Sequence, residues 1–515
     1  MIRNYVTKHL GLLGLMAFAL LVGCLTACSD NDDNGNGGYD PSRSVSITDF
    51  VPKKGGVGQK LVIYGDNFGN DTSNVKVTIG GKPAVLINVN NTGLYCFVPQ
   101  GAYKGNIEVT VGNEEAGNQQ TATAKENFEY ERKMVVGTLC GYRNERDDQG
   151  WRDGSFETVA GFRSDGILRY DPLNHNRLYI SYDGGIGIQL IDFEKREVST
   201  PITSGAFPTN RLRSIDFTRD GQYMLVAVDR DNEGNRSPSV YIIKRNADGS
   251  FDMNSDRQLL AAYKQCNGAS IHPVNGELYF NSYENGQVFR LDMDKYFETI
   301  KNGGTWNPYV IENKDAIEQL FTIQDNGWEF QIDIHPSGKY AYIVVINKNY
   351  ILRTDYNEQT HKFAAPYIVT GRMGADNEWL DGVGTDARLA RPYQGVFVKN
   401  QAYVEEGRED VYDFYFADNK SHAIRYITPD GIVTTYAGRG SSTAAADNNV
   451  WGTDNGDLRQ VARFRDPTGL AYDEETNTFY ILDTVGRKIR TISLEADDEE
   501  QPEEPAEQPT DQNAN

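Results

Sequence analysis

The sequence has little cysteine and little histidine for its length. Five of the 515 residues are cysteine and six are histidine. Cys24 and Cys28 lie in the N-terminal apolar stretch, which leaves Cys96, Cys140 and Cys266 widely separated. This spacing excludes a disulfide framework and a zinc finger, and no HExxH or other paired histidine motif is present. We therefore expect three buried cysteines, no metal site and no cofactor.

Basic residues are also fewer than acidic residues. The chain holds 51 Lys and Arg against 73 Asp and Glu, so its formal net charge is −22. This balance excludes nucleic acid as a partner and argues against binding to an anionic membrane through a basic patch. No GxSxG motif, P-loop or glycosidase signature stands out, although the paired carboxylates of glycosidases have no fixed spacing. The sequence therefore predicts no catalytic residue.

The N-terminus has the features of a secretory signal. Basic residues precede an apolar run from Leu10 to Leu25, which is short for a helix that must cross about 30 Å of hydrocarbon. The quartet Leu25-Thr26-Ala27-Cys28 resembles a bacterial lipobox, which implies a signal peptide over residues 1–27 and a lipid on Cys28. Leu21 to Cys24 is a second, weaker candidate. The only membrane contact expected is this lipid anchor.

Acidic, polar segments lie at both ends of the mature chain. Residues 28–42 are rich in Asp, Asn and Gly and are predicted to be a flexible tether. Their first residues resemble the export tag that sends lipoproteins of glycan-degrading gut anaerobes to the outer cell surface. Residues 495–515 are acidic and lack Lys and Arg, so a disordered tail is expected. The tag favours an outer-membrane protein that faces the cell exterior.

Residues 43–131 are predicted to form a β-sandwich, because short alternating strands are separated by glycine and proline turns. The stretch PKKGGVGQKLVIYGDNF from Pro52 to Phe68 resembles the start of an IPT/TIG domain. Gly80-Gly81 fits the central hairpin of that family, and Cys96 to Pro99 fits its strand ending in Val-Pro. The resemblance implies an immunoglobulin-like spacer or docking module.

Residues 132–494 contain internal repeats. Three segments share a strand that ends in glycine, a Trp-x-Asp-Gly-like loop and a small apolar motif, and their loops hold Trp151, Trp379 and Trp451. This frame is similar to the NHL repeat, a four-strand β-propeller blade. Three degenerate blades fill the middle of the region. The predicted blades span 164–200, 211–262, 267–311, 328–369, 393–436 and 467–494.

The last predicted blade lacks an outer strand. Residues 133–139 precede the first blade and have the sequence of an outer strand, so we expect them to close the ring. The predicted fold class is therefore all-β, with an N-terminal immunoglobulin-like β-sandwich (IPT/TIG) followed by a six-bladed NHL-like β-propeller over 132–494.

Tryptophans are the candidate ligand-binding residues. The loops of Trp151, Trp379 and Trp451, with Trp328 near the start of blade four, are expected on one propeller face. Indole rings stack on the apolar C–H patches of sugars, although such a residue can also simply shape its loop. Asp418 and Asp483 precede Arg425 and Arg490 by seven residues, and these are interpreted as repeated structural pairs.

The combination of lipobox, IPT/TIG module and NHL-like propeller resembles lipoproteins associated with outer-membrane glycan-uptake systems. It implies a non-catalytic protein that binds an oligosaccharide or polysaccharide near a TonB-dependent transporter and its surface lipoprotein lid. Two alternatives remain open. One is a propeller lyase or hydrolase that acts on a glycan, and the other is a protein–protein scaffold.

Overall fold

The structure is a computed structural model that describes residues 38–141, 151–157, 161–323, 329–374, 378–440 and 450–496. The chain divides into two compact units. The first contains described residues 38–55 and 59–130, and the second contains 56–58 and the described residues from 131 onward. Cys28 and Trp328 lie outside the described residues. Among the residues described, no helix is long and apolar enough to cross a membrane.

The first unit is an immunoglobulin-like β-sandwich. Two four-stranded sheets have the orders β1-β3-β7-β6 and β5-β4-β8-β9, and β2 pairs with β10. Inward positions alternate along the strands, so that Leu61, Ile63, Val77 and Val109 are fully or almost fully buried between the sheets. Its strands are β1 (Ser46–Val51), β2 (Lys54–Gly55), β3 (Lys60–Asp66), β4 (Val75–Ile79), β5 (Lys82–Pro83), β6 (Val85–Asn90), β7 (Gly93–Phe97), β8 (Ile107–Val111), β9 (Gln120–Thr123) and β10 (Glu129–Tyr130).

The described residues of the second unit form six sheets, which are the blades of a β-propeller. The all-β fold predicted from the sequence, a sandwich followed by six blades, is thereby confirmed. The strands of blades one to three are β12 (Gly154–Ser155), β13 (Gly166–Asp171), β14 (Asn174–Tyr182), β15 (Gly187–Asp192), β16 (Glu197–Thr203), β17 (Leu212–Phe217), β18 (Tyr223–Val228), β19 (Ser237–Lys244), β20 (Arg257–Tyr263), β21 (Ala269–Ile271), β22 (Leu278–Ser282), β23 (Gln287–Leu291) and β24 (Ile317–Thr322).

Blades four to six follow the same up-and-down order, with β31 and β36 as the first strands of blades five and six. The strands are β25 (Phe330–Ile334), β26 (Tyr340–Val345), β27 (Tyr350–Asn357), β28 (Lys362–Phe363), β29 (Tyr367–Gly371), β30 (Gly382–Val383), β31 (Pro392–Lys399), β32 (Tyr412–Asp418), β33 (Ala423–Ile427), β34 (Ile432–Ala437), β35 (Gly456–Asp457), β36 (Pro467–Asp473), β37 (Thr478–Asp483) and β38 (Lys488–Leu494).

The ring closes through β11 (Met134–Cys140), which is the outer strand of blade six. It pairs antiparallel with β38, with Met134 opposite Leu494 and Val136 opposite Ile492. The predicted closure by residues 133–139 is therefore confirmed. The first strands of successive blades contact one another in order around the ring, and β36 contacts β13. These first strands line the central channel.

Blade three is longer than the sequence indicated. Helix α1 (Met293–Lys301) lies between β23 and β24, so the outer strand begins beyond the predicted end at residue 311. The Asp292 side chain caps the helix by accepting a hydrogen bond from the Lys295 N–H at 3.2 Å. A second short helix, α2 (Gln401–Glu405), follows β31. Both helices are insertions that the repeat pattern does not encode.

Candidate functional site

The Trp-x-Asp-Gly-like loops connect the outer strand of one blade to the first strand of the next. In an up-and-down propeller these connections share one face with the turns between second and third strands. We call this the tryptophan face, and the other the opposite face. The loops also add a fifth strand to three blades, since β12, β30 and β35 pair with β16, β34 and β11.

Trp151 and Trp451 are half-buried and lie beside arginines of their own loops. The Arg163 guanidinium is 5.6 Å from the Trp151 ring centroid, and the Arg465 guanidinium is 4.3 Å from that of Trp451. The Trp151 ring also packs edge-on against Tyr182 at 6.1 Å. Each arginine occupies part of an indole surface by a cation–π contact.

Trp379 is held by a hydrogen bond instead. Its Nε1–H donates to Thr435 Oγ1 at 2.8 Å. Gly440 packs so closely that a Cβ there would lie 2.5 Å from Trp379 Nε1. The structure thus places three of the predicted tryptophans in equivalent loops, and their role in ligand binding stays a prediction.

The Asp-Gly part of each loop is a structural anchor. Asp153 accepts hydrogen bonds from the Thr200 N–H and hydroxyl, and Asp381 does the same with Thr435. In the third loop, Asn455 takes this position and accepts from the Thr138 hydroxyl at 3.0 Å. These side chains fasten their loops to the outer strands.

The predicted Asp–Arg pairs are confirmed. Arg425 lies 2.7 Å from Asp418 and Arg490 lies 3.4 Å from Asp483, and all four side chains have no exposed surface. Arg425 also donates to Asp381 at 2.9 Å. The pairs therefore join the second and third strands of a blade to its tryptophan loop.

A cluster of charged residues lies at the channel mouth on the tryptophan face. At its centre is Arg213, which has no exposed side-chain surface and pairs with Asp183 at 2.8 Å, Glu329 at 3.2 Å and Asp229 at 3.4 Å. Arg211 adds a second guanidinium, 2.6 Å from Asp183 and 2.9 Å from Asp229. Blades one, two and four thus all contribute to the mouth.

A third guanidinium at the mouth belongs to Arg391, which pairs with Asp165 at 2.8 Å. It begins blade five, and Asp165 begins blade one. Arg391 is also among the charges that lower the pKa of Asp183, so the two ion-pair groups form one cluster. Each of these three guanidiniums faces at least one carboxylate, so their positive charges are already compensated.

Burial and the nearby arginines have opposite effects on the pKa values of the two central carboxylates, Asp183 and Asp229. Burial raises the pKa of Asp183, but Arg213 and Arg211 outweigh it and the pKa is lowered. For Asp229, whose side chain is 6% exposed, burial outweighs the same two arginines and the pKa is raised. The mouth therefore combines a firmly ionised carboxylate with one that holds a proton more readily.

Unsatisfied polar groups lie beside the arginines. The side chain of Asn267 is fully buried, and neither its oxygen nor its nitrogen makes a hydrogen bond with any described residue. The same is true of Asn281 Nδ2, Gln265 Oε1 and Arg213 Nε. Buried polar atoms of this kind are commonly satisfied by a bound water or ligand. They are concentrated around blade three.

Two glutamines cross the channel below the mouth. Gln394 accepts hydrogen bonds from the N–H groups of Leu168 and Leu470 at 2.8 and 2.9 Å, and donates to the Leu168 carbonyl at 2.7 Å. Gln331 donates to the Asn267 carbonyl at 3.1 Å. These amides hydrogen-bond to backbone groups at the first strands of other blades. They therefore link the blades and form the floor of the mouth.

Towards the opposite face the channel holds a smaller charged group. Arg169 lies 3.6 Å from Asp216 and 3.9 Å from Asp333. Burial raises the pKa of Asp333 to about 7, against the lowering effect of Arg169. Within the described ranges, no group of three or more His, Cys, Asp and Glu side chains could hold a metal ion.

The charged residues of the mouth were not predicted from the sequence. Their signal is that a charged or amide residue stands at or just before the first strand of each blade, as in Asp165-Gly166, Arg211-Leu212-Arg213, Asn267-Gly268, Glu329-Phe330, Arg391-Pro392 and Asp466-Pro467. His272 and His335, by contrast, lie in the turns between the first and second strands of blades three and four. His272 Nδ1 accepts hydrogen bonds from the N–H groups of Val274 and Asn275 at 3.2 Å.

The chain is similar to proteins from Bacteroides species. The IPT/TIG domain model matches residues 45–130. A Bacteroides thetaiotaomicron structure named "Putative phosphatase" is 57% identical, covers 90% of this chain and 100% of that chain, and has a TM-score of 0.81. An "auxiliary nutrient binding protein" from the same organism is 42% identical, with coverages of 89% and 100% and a TM-score of 0.74.

A second "auxiliary nutrient binding protein", from Bacteroides ovatus, is 34% identical, covers 89% of this chain and 100% of that chain, and has a TM-score of 0.61. Among curated proteins, SUPPRESSOR OF QUENCHING 1, chloroplastic, from Arabidopsis thaliana is 25% identical over 302 residues. These are 54% of this chain and 26% of that protein, so the chain spans about a quarter of its curated relative. Because the three Bacteroides structures are matched over their whole length at 34% identity or more, this chain belongs to their family.

Proposed function

We propose that this protein is a non-catalytic surface lipoprotein that binds a neutral oligosaccharide or polysaccharide and presents it to an outer-membrane uptake system. The observation that carries the proposal is the polar mouth of the channel, where ion-paired arginines, buried groups without hydrogen bonds to described residues and two glutamines lie together. Two family members named auxiliary nutrient binding proteins support the nutrient-binding role.

The chemistry of the channel mouth favours an uncharged, hydroxyl-rich ligand. Arg213, Arg211 and Arg391 are already neutralised by carboxylates, so a phosphate or uronic acid would meet as much repulsion as attraction. The buried Asn267 amide and Arg213 Nε, which make no hydrogen bond with any described residue, would be satisfied by a hydroxyl or a water bound within the mouth. Trp151 and Trp451 on the same face supply aromatic surface for sugar rings.

The cellular setting of this proposal comes from the sequence. A lipid on Cys28 and the acidic residues after it would attach the protein to the outer membrane, facing the exterior. A TonB-dependent transporter and its lipoprotein lid are the partners that such a location suggests.

The decisive experiment offers the protein without residues 1–27 to a panel of neutral, acidic and amino polysaccharides on affinity gels, and analyses the recovered glycans by size. We expect a neutral polysaccharide to retard the protein and to be recovered at its original length, with or without chelator. Shortened or unsaturated products, or release of phosphate from a phosphomonoester, would show that the protein is an enzyme and would contradict the proposal. Capture of a transporter without binding to any sugar would favour a scaffold.

A further inference from the structure

A second pocket lies away from the channel, between blades five and six on the opposite face. It has a volume of about 440 Å³ and is lined by residues that follow the first strands of both blades, including Asn400 and Asn477. This is within the size range of small-molecule sites. None of the functional residues predicted from the sequence lies in it.

Aromatic rings form the walls of this pocket. Tyr415 and Tyr472 pack against the buried Phe479 with centroid distances of 4.8 and 4.7 Å, and Tyr436 meets Tyr415 edge-on at 5.1 Å. The three tyrosines are half-buried, so parts of their rings remain accessible. Because Phe479 fixes these rings, the pocket is preformed.

The tyrosine hydroxyls provide polar groups at different points of the wall. Tyr472 donates to Asn477 Oδ1 at 2.9 Å. The hydroxyls of Tyr415 and Tyr436 make no hydrogen bond with any residue that the structure describes. They are therefore available as both donors and acceptors.

Asp413 is the second and independent indication of a ligand. Its side chain lines the pocket although the residue is only 3% exposed. Oδ2 accepts a hydrogen bond from Asn400 Nδ2 at 2.8 Å, and the Tyr403 hydroxyl also interacts with this carboxylate. Oδ1 is buried and accepts no hydrogen bond of normal geometry from any residue that the structure describes, so a donor from a bound molecule would stabilise it.

We infer that this pocket is a separate subsite for one or two residues of a neutral sugar, an inference that rests on the proposed function for its ligand class. Aromatic walls suit the apolar face of a sugar ring, and the Asp413 carboxylate and the tyrosine hydroxyls suit its hydroxyl groups. The lining contains two carboxylates, Asp413 and Glu474, and one lysine, Lys399, so its net negative charge disfavours an anionic ligand. A glycan bound on the tryptophan face would then have a second contact on the other side of the propeller.

The test measures binding of neutral gluco-, manno-, galacto- and xylo-hexasaccharides, with chitosan hexamer for comparison, by calorimetry and saturation-transfer NMR. The variants are Asp413→Asn, which replaces one carboxylate oxygen by an amide donor, and Tyr436→Phe, which removes only a hydroxyl. Tyr241→Phe in blade two is the matched control, since this half-buried tyrosine packs against Phe207 far from the pocket. Thermal melting confirms that each variant is folded.

We expect Asp413→Asn to weaken binding of at least one neutral hexasaccharide by about tenfold or more, Tyr436→Phe to weaken it less, and Tyr241→Phe to leave it unchanged. Equal binding in the wild type, Asp413→Asn and Tyr436→Phe would overturn the subsite, and the proposed function would still stand if Trp151→Ala or Trp451→Ala on the tryptophan face lost binding. A loss confined to chitosan hexamer would overturn the neutral-sugar assignment. If the wild type binds none of the hexasaccharides, the proposed function fails and the subsite fails with it.

Discussion

Arg425 and Asp418 form a 2.7 Å ion pair in which neither side chain has any exposed surface. The same guanidinium donates to the Arg388 carbonyl at 2.6 Å and to the Leu380 carbonyl at 2.7 Å. One buried side chain therefore connects two strands of blade five to the loop that carries Trp379. Gln189 occupies the corresponding place in blade one and donates to Asp153 at 3.3 Å, which shows that the position anchors the loop.

Removal of Arg425 should destabilise the protein strongly. Arg425→Ala leaves Asp418 buried and unpaired, which typically costs about 3–5 kcal/mol of unfolding free energy. Arg408→Ala is the control, because it breaks exposed ion pairs with Glu406 and Asp430 that solvent screens and that are expected to contribute little. Urea unfolding of both variants measures the difference. Equal losses would contradict an anchoring role for Arg425.

Deletion of the closing strand should weaken blade six. A chain that begins at residue 141 lacks β11 and the buried side chains of Val135 and Val136, which contribute about 1.5–3 kcal/mol each. It also exposes the edge of β38. We expect a lower melting temperature, and more aggregation, than for a chain that begins at residue 132. The same melting temperature in both would show that β11 does not stabilise the ring.

Asp333 should give stability a distinct pH dependence. Its pKa of about 7 in the folded protein lies above the value of about 3.9 for an unfolded chain, so the folded state binds the proton more tightly. The wild type should therefore gain stability relative to Asp333→Asn as the pH falls from about 7 to about 4. The gain is at most about 1.4 kcal/mol per pH unit. Urea unfolding at pH 5 and pH 8 measures it, and parallel curves for the two proteins would contradict the raised pKa.

The repeats explain why so much of the fold could be predicted. The loops of Trp151, Trp379 and Trp451 follow equivalent strands, and residues 133–139 could be recognised as an outer strand because they match the start of those repeats. Helix α1 has no counterpart in the described parts of the other blades, so nothing in the pattern indicated that β24 begins only at Ile317. An insertion between two strands does not change the repeat pattern of the remaining strands, so the pattern cannot reveal it.

The candidate site was harder to predict than the fold. Arg213 and Glu329 meet at 3.2 Å although 115 residues separate them in the sequence. Their proximity depends on the closure of the ring, which brings the first strands of all blades together. The Tyr415 and Phe479 contact depends in the same way on how two neighbouring blades pack. Sequence spacing identifies positions within a blade, whereas both pockets are formed between blades.

Cys28 is predicted to carry the lipid anchor. Cells that express the full chain and are fed a palmitate analogue should label the wild type and Cys24→Ala, but not Cys28→Ala. Cys24→Ala is thus the matched control for the alternative site in the same apolar run. Label that persists in Cys28→Ala and disappears in Cys24→Ala would move the anchor to Cys24.

The indole rings of the tryptophan face are predicted to contribute to the affinity for a polysaccharide. If its indoles stack on sugar, each should contribute about 0.5–1.5 kcal/mol beyond its buried area. At least one of Trp151→Ala, Trp379→Ala and Trp451→Ala should then lose about tenfold in affinity for the bound polysaccharide, since 1.4 kcal/mol corresponds to one decade. Trp379 needs a second variant, because its Nε1–H bond to Thr435 makes Trp379→Ala a structural change as well.

Trp379→Phe removes that hydrogen bond and keeps an aromatic ring, so it should lower stability by about 1 kcal/mol and affect affinity less than Trp379→Ala. The control is Trp306→Ala, which alters a tryptophan that packs on Tyr296 in blade three and donates to the Leu260 carbonyl at 2.8 Å. It should lower the melting temperature and leave affinity unchanged. Affinity gel electrophoresis with thermal melts separates the two effects. Wild-type affinity in all three Trp→Ala variants of the tryptophan face would show that these indoles shape their loops and do not bind sugar.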